Sequence, residues 1–153
     1  MIAYFFDSSA LVKRYVRETG SSWIRQITAP QTGSLIFVVR ISWVEVRSSF
    51  ARRQREGNLT QGAVQPLVQT LRSDFNTQYQ VIELDATLAE TAGLLVNQHP
   101  LRAYDAVQLA AALRIQPAFT QTSNQLIFLC ADNRLLSVAA ALGLLIDNPN
   151  SYP

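Results

Sequence analysis

A chain of 153 residues with 48% hydrophobic content has enough apolar surface for a sizeable core and is expected to form a single domain over residues 1–153. A formal net charge of +2 permits nucleic-acid binding without requiring it; Lys13 is the only lysine, so arginine, which suits bidentate contact with phosphate, carries almost all the positive charge. No apolar run approaches the roughly 20 residues that span a bilayer, the first residues lack the pattern of a signal peptide, and the single cysteine, Cys130, excludes an internal disulfide framework. The expectation is a soluble cytoplasmic protein with no membrane contact.

The chain opens on a short apolar run, Ile2 to Phe6, that stops at Asp7 and gives way to residues favouring a helix, Ser8 to Val16. Gly20-Ser21-Ser22 breaks that helix before a second one at Trp23 to Thr28, and Ala29 to Gly33 reads as a loop. Leu35 to Val38 predicts a second strand, followed by a long helix from Ile41 to Arg55 that Gly57-Asn58 ends. Thr60 to Phe75 is a further helix, with Pro66 marking either a kink or a misplaced boundary. Val81 to Leu84 predicts a third strand, and Asp85 can cap a helix from Ala86 to Val96 that His99-Pro100 ends. Arg102 to Ile115 is Ala-rich and helical; Leu126 to Cys130 is a strong strand; Asn133 to Leu142 is a helix with Gly143 at its end; Leu144 to Ile146 adds an edge strand. Strands alternating with helices imply parallel βαβ units, hence a three-layer α/β domain with a mostly parallel central sheet flanked by helices.

Of the eleven acids, four stand where such a sheet would gather them. Asp7 and Asp132 each end an apolar strand and begin a helix, Glu45 lies near the start of a helix that follows a strand, and Asp105 sits in the first turn of an otherwise apolar helix. In open parallel sheets ligands bind outside the carboxyl ends of the strands. Each acid also has a purely local reading: Asp7 and Asp132 as N-caps, Glu45 as the partner of Ser42 in a capping box, Asp105 as a first-turn charge on the helix dipole. Taken together, four carboxylates in one crevice would repel one another, and a hard divalent cation with oxygen ligands, Mg²⁺ or Mn²⁺, relieves that repulsion. Such an ion can present a nucleophilic water and polarise a phosphoryl oxygen, so no protein nucleophile is required. None stands out: Ser8 and Ser9 have no histidine partner, His99 reads as a surface residue and Cys130 as a small core residue, and no Gly-rich phosphate loop is present. Arg40, Arg47, Arg52, Arg53 and Arg55 cluster on or beside the helix carrying Glu45, either as a path for a phosphate backbone or as a solvated basic face.

Four stretches, Asp7-Ser8-Ser9-Ala10-Leu11-Val12-Lys13, Trp43-Val44-Glu45-Val46, Arg102-Ala103-Tyr104-Asp105-Ala106-Val107-Gln108-Leu109-Ala110 and Ala131-Asp132-Asn133-Arg134-Leu135, resemble the acidic motifs of PIN-domain ribonucleases, and most closely those of the VapC-like toxins of toxin–antitoxin modules. The resemblance runs over essentially the whole chain in motif order. It implies a PIN-like fold and an endoribonuclease dependent on Mg²⁺ or Mn²⁺ that leaves a 5′-phosphate and a 3′-hydroxyl. It further implies a homodimer and inhibition by a small VapB-like antitoxin. Carried over position by position, Asp7, Glu45, Asp105 and Asp132 are the catalytic and metal-holding acids. Independently of the resemblance, Ser9, Lys13, Arg47 and Arg102 are the expected substrate-side residues, by charge and by position near those acids, although Arg102 could pair with an acid instead. Two departures bear on a second metal: Cys130 stands where many relatives have Ser or Thr, and Asn133 where some have a further acid. The rival readings are a phosphotransfer domain using Asp7 as acceptor, a PIN nuclease of RNA maturation, and a PIN module that binds without cutting.

Overall fold

The computed structural model describes residues 1–153. Five strands, β1 (Ile2–Phe6), β2 (Leu35–Val39), β3 (Tyr79–Ile82), β4 (Gln125–Leu129) and β5 (Leu145–Asp147), form one sheet in the order β3-β2-β1-β4-β5. Every pairing is parallel, with Phe5 opposite Phe37 on one side and Phe128 on the other. The expected mostly parallel sheet is therefore parallel throughout. Eight helices connect and cover it: α1 (Ser8–Leu11), α2 (Ser21–Ile27), α3 (Ser42–Arg55), α4 (Gln61–Thr77), α5 (Ala86–Gln98), α6 (Ala103–Ile115), α7 (Pro117–Thr120) and α8 (Asn133–Ala141).

Alternation along β1 divides the core in two. Ala3 and Phe5 face α5, α6 and α8 with Leu88, Leu109 and Phe128, whereas Tyr4 and Phe6 face the other layer with Leu11, Phe50 and Leu71. Burial on both faces is what makes β1 read as an unbroken apolar run. The chain runs outward from β1 to β2 and β3, then returns to place β4 on the other side of β1. The order thus reverses between β1 and β4, and a crevice opens there at the carboxyl ends of the strands.

Some boundaries differ from those read in the sequence, for identifiable reasons. The first helix is an α turn that tightens into a 3₁₀ turn over Val12–Arg14, so Ser8 to Val16 is not one regular helix. The third strand lies two residues earlier than expected because Tyr79 is buried opposite Ile36, its hydroxyl held by Tyr15 and, at 2.8 Å, by Arg14. Helix α4 runs through Pro66 to Thr77; the proline ring faces the carbonyl of Gly62 one turn back, where both residues are exposed and water can satisfy that oxygen. Helix α7 is not among the elements expected from the sequence: Pro117, two residues after the end of α6, occupies the first turn of a new helix, where its missing N–H costs nothing.

Gly20 is the most closely packed of the six glycines. It precedes α2 at φ 87°, and a Cβ there would stand 2.3 Å from the Pro149 carbonyl oxygen, in the tail that stacks Tyr152 on Trp23 at 4.0 Å. Gly20→Ala is expected to destabilise the fold by about 2 kcal/mol or more, lowering Tm by roughly 6 °C. Gly33→Ala, also at positive φ but with no neighbour within 4 Å, should cost only about 1 kcal/mol. Thermal unfolding of the two variants side by side checks this; equal losses would mean that the tail is not packed against Gly20.

Candidate active site

Asp7 leaves the end of β1 at the reversal point, with its backbone N–H donating to Leu129 O across the crevice. Its carboxylate is almost fully buried (5% exposed) and accepts from the Ser9 backbone N–H at 3.1 Å and from the Ser9 hydroxyl at 2.5 Å, with the Cys130 thiol at 3.5 Å. Burial raises its pKa above the usual carboxylate value, and the hydrogen bonds from Ser9 and Cys130 offset only part of that. Asp7 does cap α1, but an exposed asparagine or serine would do that without the cost of burying a charge.

The capping box that offered a purely local reading of Glu45 does not form. Ile41 occupies the N-cap position without a side-chain bond, and the Ser42 hydroxyl is buried. Both Ser42 and Glu45 turn to Gln108, a residue that the sequence reading passed over. Gln108 is fully buried in α6, and its Nε2 lies 2.8 Å from Ser8 Oγ, 2.9 Å from Ser42 Oγ and 2.8 Å from Glu45 Oε1. One amide thus ties together the segments after β1, at the start of α3 and in α6. Its Oε1 is buried with no partner. The signal for it in the sequence is a glutamine one turn after Asp105 in a run of alanine, valine and leucine, where an unpartnered amide is costly.

Asp105, in the first turn of α6, and Glu45 both have raised pKa values, caused first by burial and then by neighbouring carboxylates. Glu45 feels Asp7 and Asp105; Asp105 feels Asp7 and Asp132, opposed by the Arg102 guanidinium. The four acids are thus near enough to act on one another electrostatically, with Asp7 and Asp105 at the centre. Asp132 caps α8 by accepting from the Arg134 N–H at 2.9 Å, and its carboxylate is the most open of the four. Cys130, just before it, is held above its normal range: burial is the main cause, and its pKa is too high for a thiolate nucleophile.

The residues expected on the substrate side are divided. Ser9 orients Asp7 and also accepts from the Ala131 N–H at 3.0 Å. Arg102 stands exposed at the head of α6 beside Asp105. Lys13 is buried, with Nζ bound to Glu18 Oε1 at 3.1 Å and to the Thr19 carbonyl at 2.9 Å. Arg47 lies over the Trp43 ring at 5.3 Å and lines the groove between α3 and α4, with Arg72 on the same ring at 4.8 Å.

The donor set fits a hard divalent cation: the site offers carboxylates alone, and Glu45 and Asp105 are made harder to ionise by burial and by the acids beside them. No three of them stand close enough together to hold an ion between them, so an ion here would take one or two carboxylates directly and keep waters for the rest, as Mg²⁺ does.

The PIN domain family matches residues 4–140, a span that begins in β1 and ends in α8 and so contains all four acids. The chain belongs to the PIN-domain family. Two ribonucleases of Mycobacterium tuberculosis, VapC45 and VapC49, are each 35% identical to it over 111 residues, 72% of this chain and 75% of theirs. Among solved structures, VapBC2 from Rickettsia felis bound to a DNA fragment from its promoter superposes with a TM-score of 0.57 at 13% identity, covering 97% of this chain and 98% of that one. A toxin–antitoxin complex from Klebsiella pneumoniae gives a TM-score of 0.61 at 17% identity, covering 95% of this chain and 97% of that one. The likeness to these two is one of fold. No helix of this PIN domain is long and apolar enough to cross a membrane.

Proposed function

We propose that this PIN-domain protein is a divalent-cation-dependent endoribonuclease, with Asp7, Glu45, Asp105 and Asp132 as its catalytic and metal-holding acids and the whole chain as one catalytic domain. The observation that carries the reading is the buried Asp7 carboxylate at the reversal point of the sheet, close enough for its charge to raise the pKa of both Glu45 and Asp105. Mg²⁺ or Mn²⁺, when bound, supplies charge stabilisation for the phosphoryl group and a nucleophilic water. The chain's own part is positional. Ser9 aims the Asp7 carboxylate, and Gln108 fixes that of Glu45. Arg102, beside Asp105, is placed to meet an RNA phosphate entering over the carboxyl edge of the sheet. Ser9, Lys13, Arg47 and Arg102 are proposed to serve RNA binding in different ways. Arg102 and Arg47 present guanidinium groups at the surface, Ser9 acts through Asp7, and Lys13 acts through the charge it sets beside the crevice.

The names of the relatives favour the toxin of a toxin–antitoxin pair as the cellular role. On that reading a small VapB-like antitoxin restrains the enzyme, the protein is a homodimer and it acts in the cytoplasm.

Incubating the purified protein with a mixed RNA pool in Mg²⁺, in Mn²⁺ and in chelator tests the activity. Cleavage with either ion, lost in chelator and in Glu45→Gln, is the expected result. Cutting that persists in chelator would overturn the metal requirement, and cutting that persists in Glu45→Gln would remove that residue from the site.

A further inference from the structure

Beside the acids, between the 3₁₀ turn after α1 and the outer face of α3, lies a cavity of about 380 Å³. One rim is Glu45 with Ser8 and Ser9; the far wall is Arg52 and Arg53. Glu45 and Arg52 are two turns apart on one face of α3, about 10 Å along its axis. The charges in the wall do not cancel. Glu18 alone balances two cations, Lys13 at 3.1 Å and Arg53 at 2.7 Å, and Arg52 is exposed and enters no ion pair. Three cations, Lys13, Arg52 and Arg53, therefore face two carboxylates, Glu18 and Glu45, and the recess keeps one positive charge in excess beside the other acids. A surface that only needed solubility would have no reason to pin Lys13 and Arg53 in place on a shared carboxylate at the wall of a recess.

Resting on the nuclease reading above, we propose that this cavity is a subsite for RNA. It seats a backbone phosphate flanking the scissile one, with Arg52 as the direct guanidinium contact and Arg53, held by Glu18, as its fixed neighbour. The acids and their cation then take the scissile phosphate while the cavity takes a neighbour on the same strand. A single strand is thereby gripped at two points about two helical turns apart. The contact is with phosphate, so it sets the register of the strand and carries no base preference.

The test is binding of a fluorescent mixed-sequence RNA 12-mer in an Asp105→Asn background, in Mg²⁺, across a series of salt concentrations. Arg52→Gln is compared with Arg55→Gln, an exposed arginine on the same helix outside the cavity. Arg52→Gln is expected to weaken binding about 3- to 10-fold and to reduce the slope of log K against log salt by about 0.7, the loss of one single-strand phosphate contact. Arg55→Gln should leave the slope unaltered. Equal affinity and slope for Arg52→Gln and its parent, or equal losses for the two arginines, would overturn the subsite and leave the nuclease intact. The wild-type protein is assayed for cleavage in parallel. Absence of both cleavage and binding would overturn the nuclease reading and the subsite with it. Cleavage by the wild type with no measurable binding in the parent background would overturn the subsite alone.

Discussion

Asp7→Asn is expected to move activity and stability in opposite directions. If Asp7 is a principal ligand of the catalytic ion, its loss removes several kcal/mol of transition-state stabilisation and lowers RNA cleavage about 1,000-fold. The metal-free protein should at the same time become more stable at pH 7. The Asp7 pKa is raised in the fold, chiefly by burial, so the native state holds its proton more tightly than the unfolded chain does. Such a group contributes stability that is complete below the unfolded carboxylate value and is lost as pH rises through the raised native one. At neutral pH the wild-type protein therefore buries a charge at a cost, and the neutral amide removes it. An increase on the order of 1 kcal/mol, about 2–4 °C in Tm, is expected in chelator. The gain should vanish on acidifying to about pH 3, where both chains are neutral at this position. Adding Mn²⁺ should reverse the order by stabilising the wild type and not the variant. Thermal scans in chelator and in Mn²⁺ read all of this. A variant less stable than wild type in chelator would show that the Asp7 carboxylate is a structural cap first.

That trade of stability for a charged pocket explains what could be read in the sequence and what could not. The sheet was legible because β1, β2 and β4 are buried on both faces and so appear as apolar runs, each ending where the chain must turn. The positions of Asp7 and Asp132 followed from those ends. Glu45 was ambiguous, because Ser42-Trp43-Val44-Glu45 satisfies a local capping rule as well as a long-range one. Only the structure shows Ser42 and Glu45 both turned to Gln108, 66 and 63 residues away in sequence. Lys13 shows the converse. Its charge read as available for phosphate, yet Glu18 and the Thr19 carbonyl hold it in the wall, and the free cation is Arg52. Local patterns reveal which residues are charged; which charges are already matched depends on contacts between segments far apart in the chain.

Gln108→Leu is the second substitution expected to have a large effect, and it separates positioning from packing. Gln108 is fully buried, so it cannot touch RNA, and its influence must pass through Glu45 and Ser8. Loss of an outer partner of a metal-holding carboxylate typically costs 10- to 100-fold in metal affinity or activity. Accordingly kcat and Mn²⁺ affinity should fall by about that factor, while KM for RNA stays near its wild-type value. Stability should change little, by about 1 kcal/mol, because leucine also removes the buried Oε1 that has no partner. A fall in Tm with no loss of kcat would make Gln108 a packing residue only. Gln108→Glu sharpens the distinction. It places a second carboxylate against Glu45, whose pKa is already raised by burial and by Asp7 and Asp105. The raised value must climb further, so the acidic limb of the activity profile should move to higher pH, which a purely structural defect would not produce. A pH–rate profile of this variant unchanged in shape would show that Glu45 is not held through Gln108.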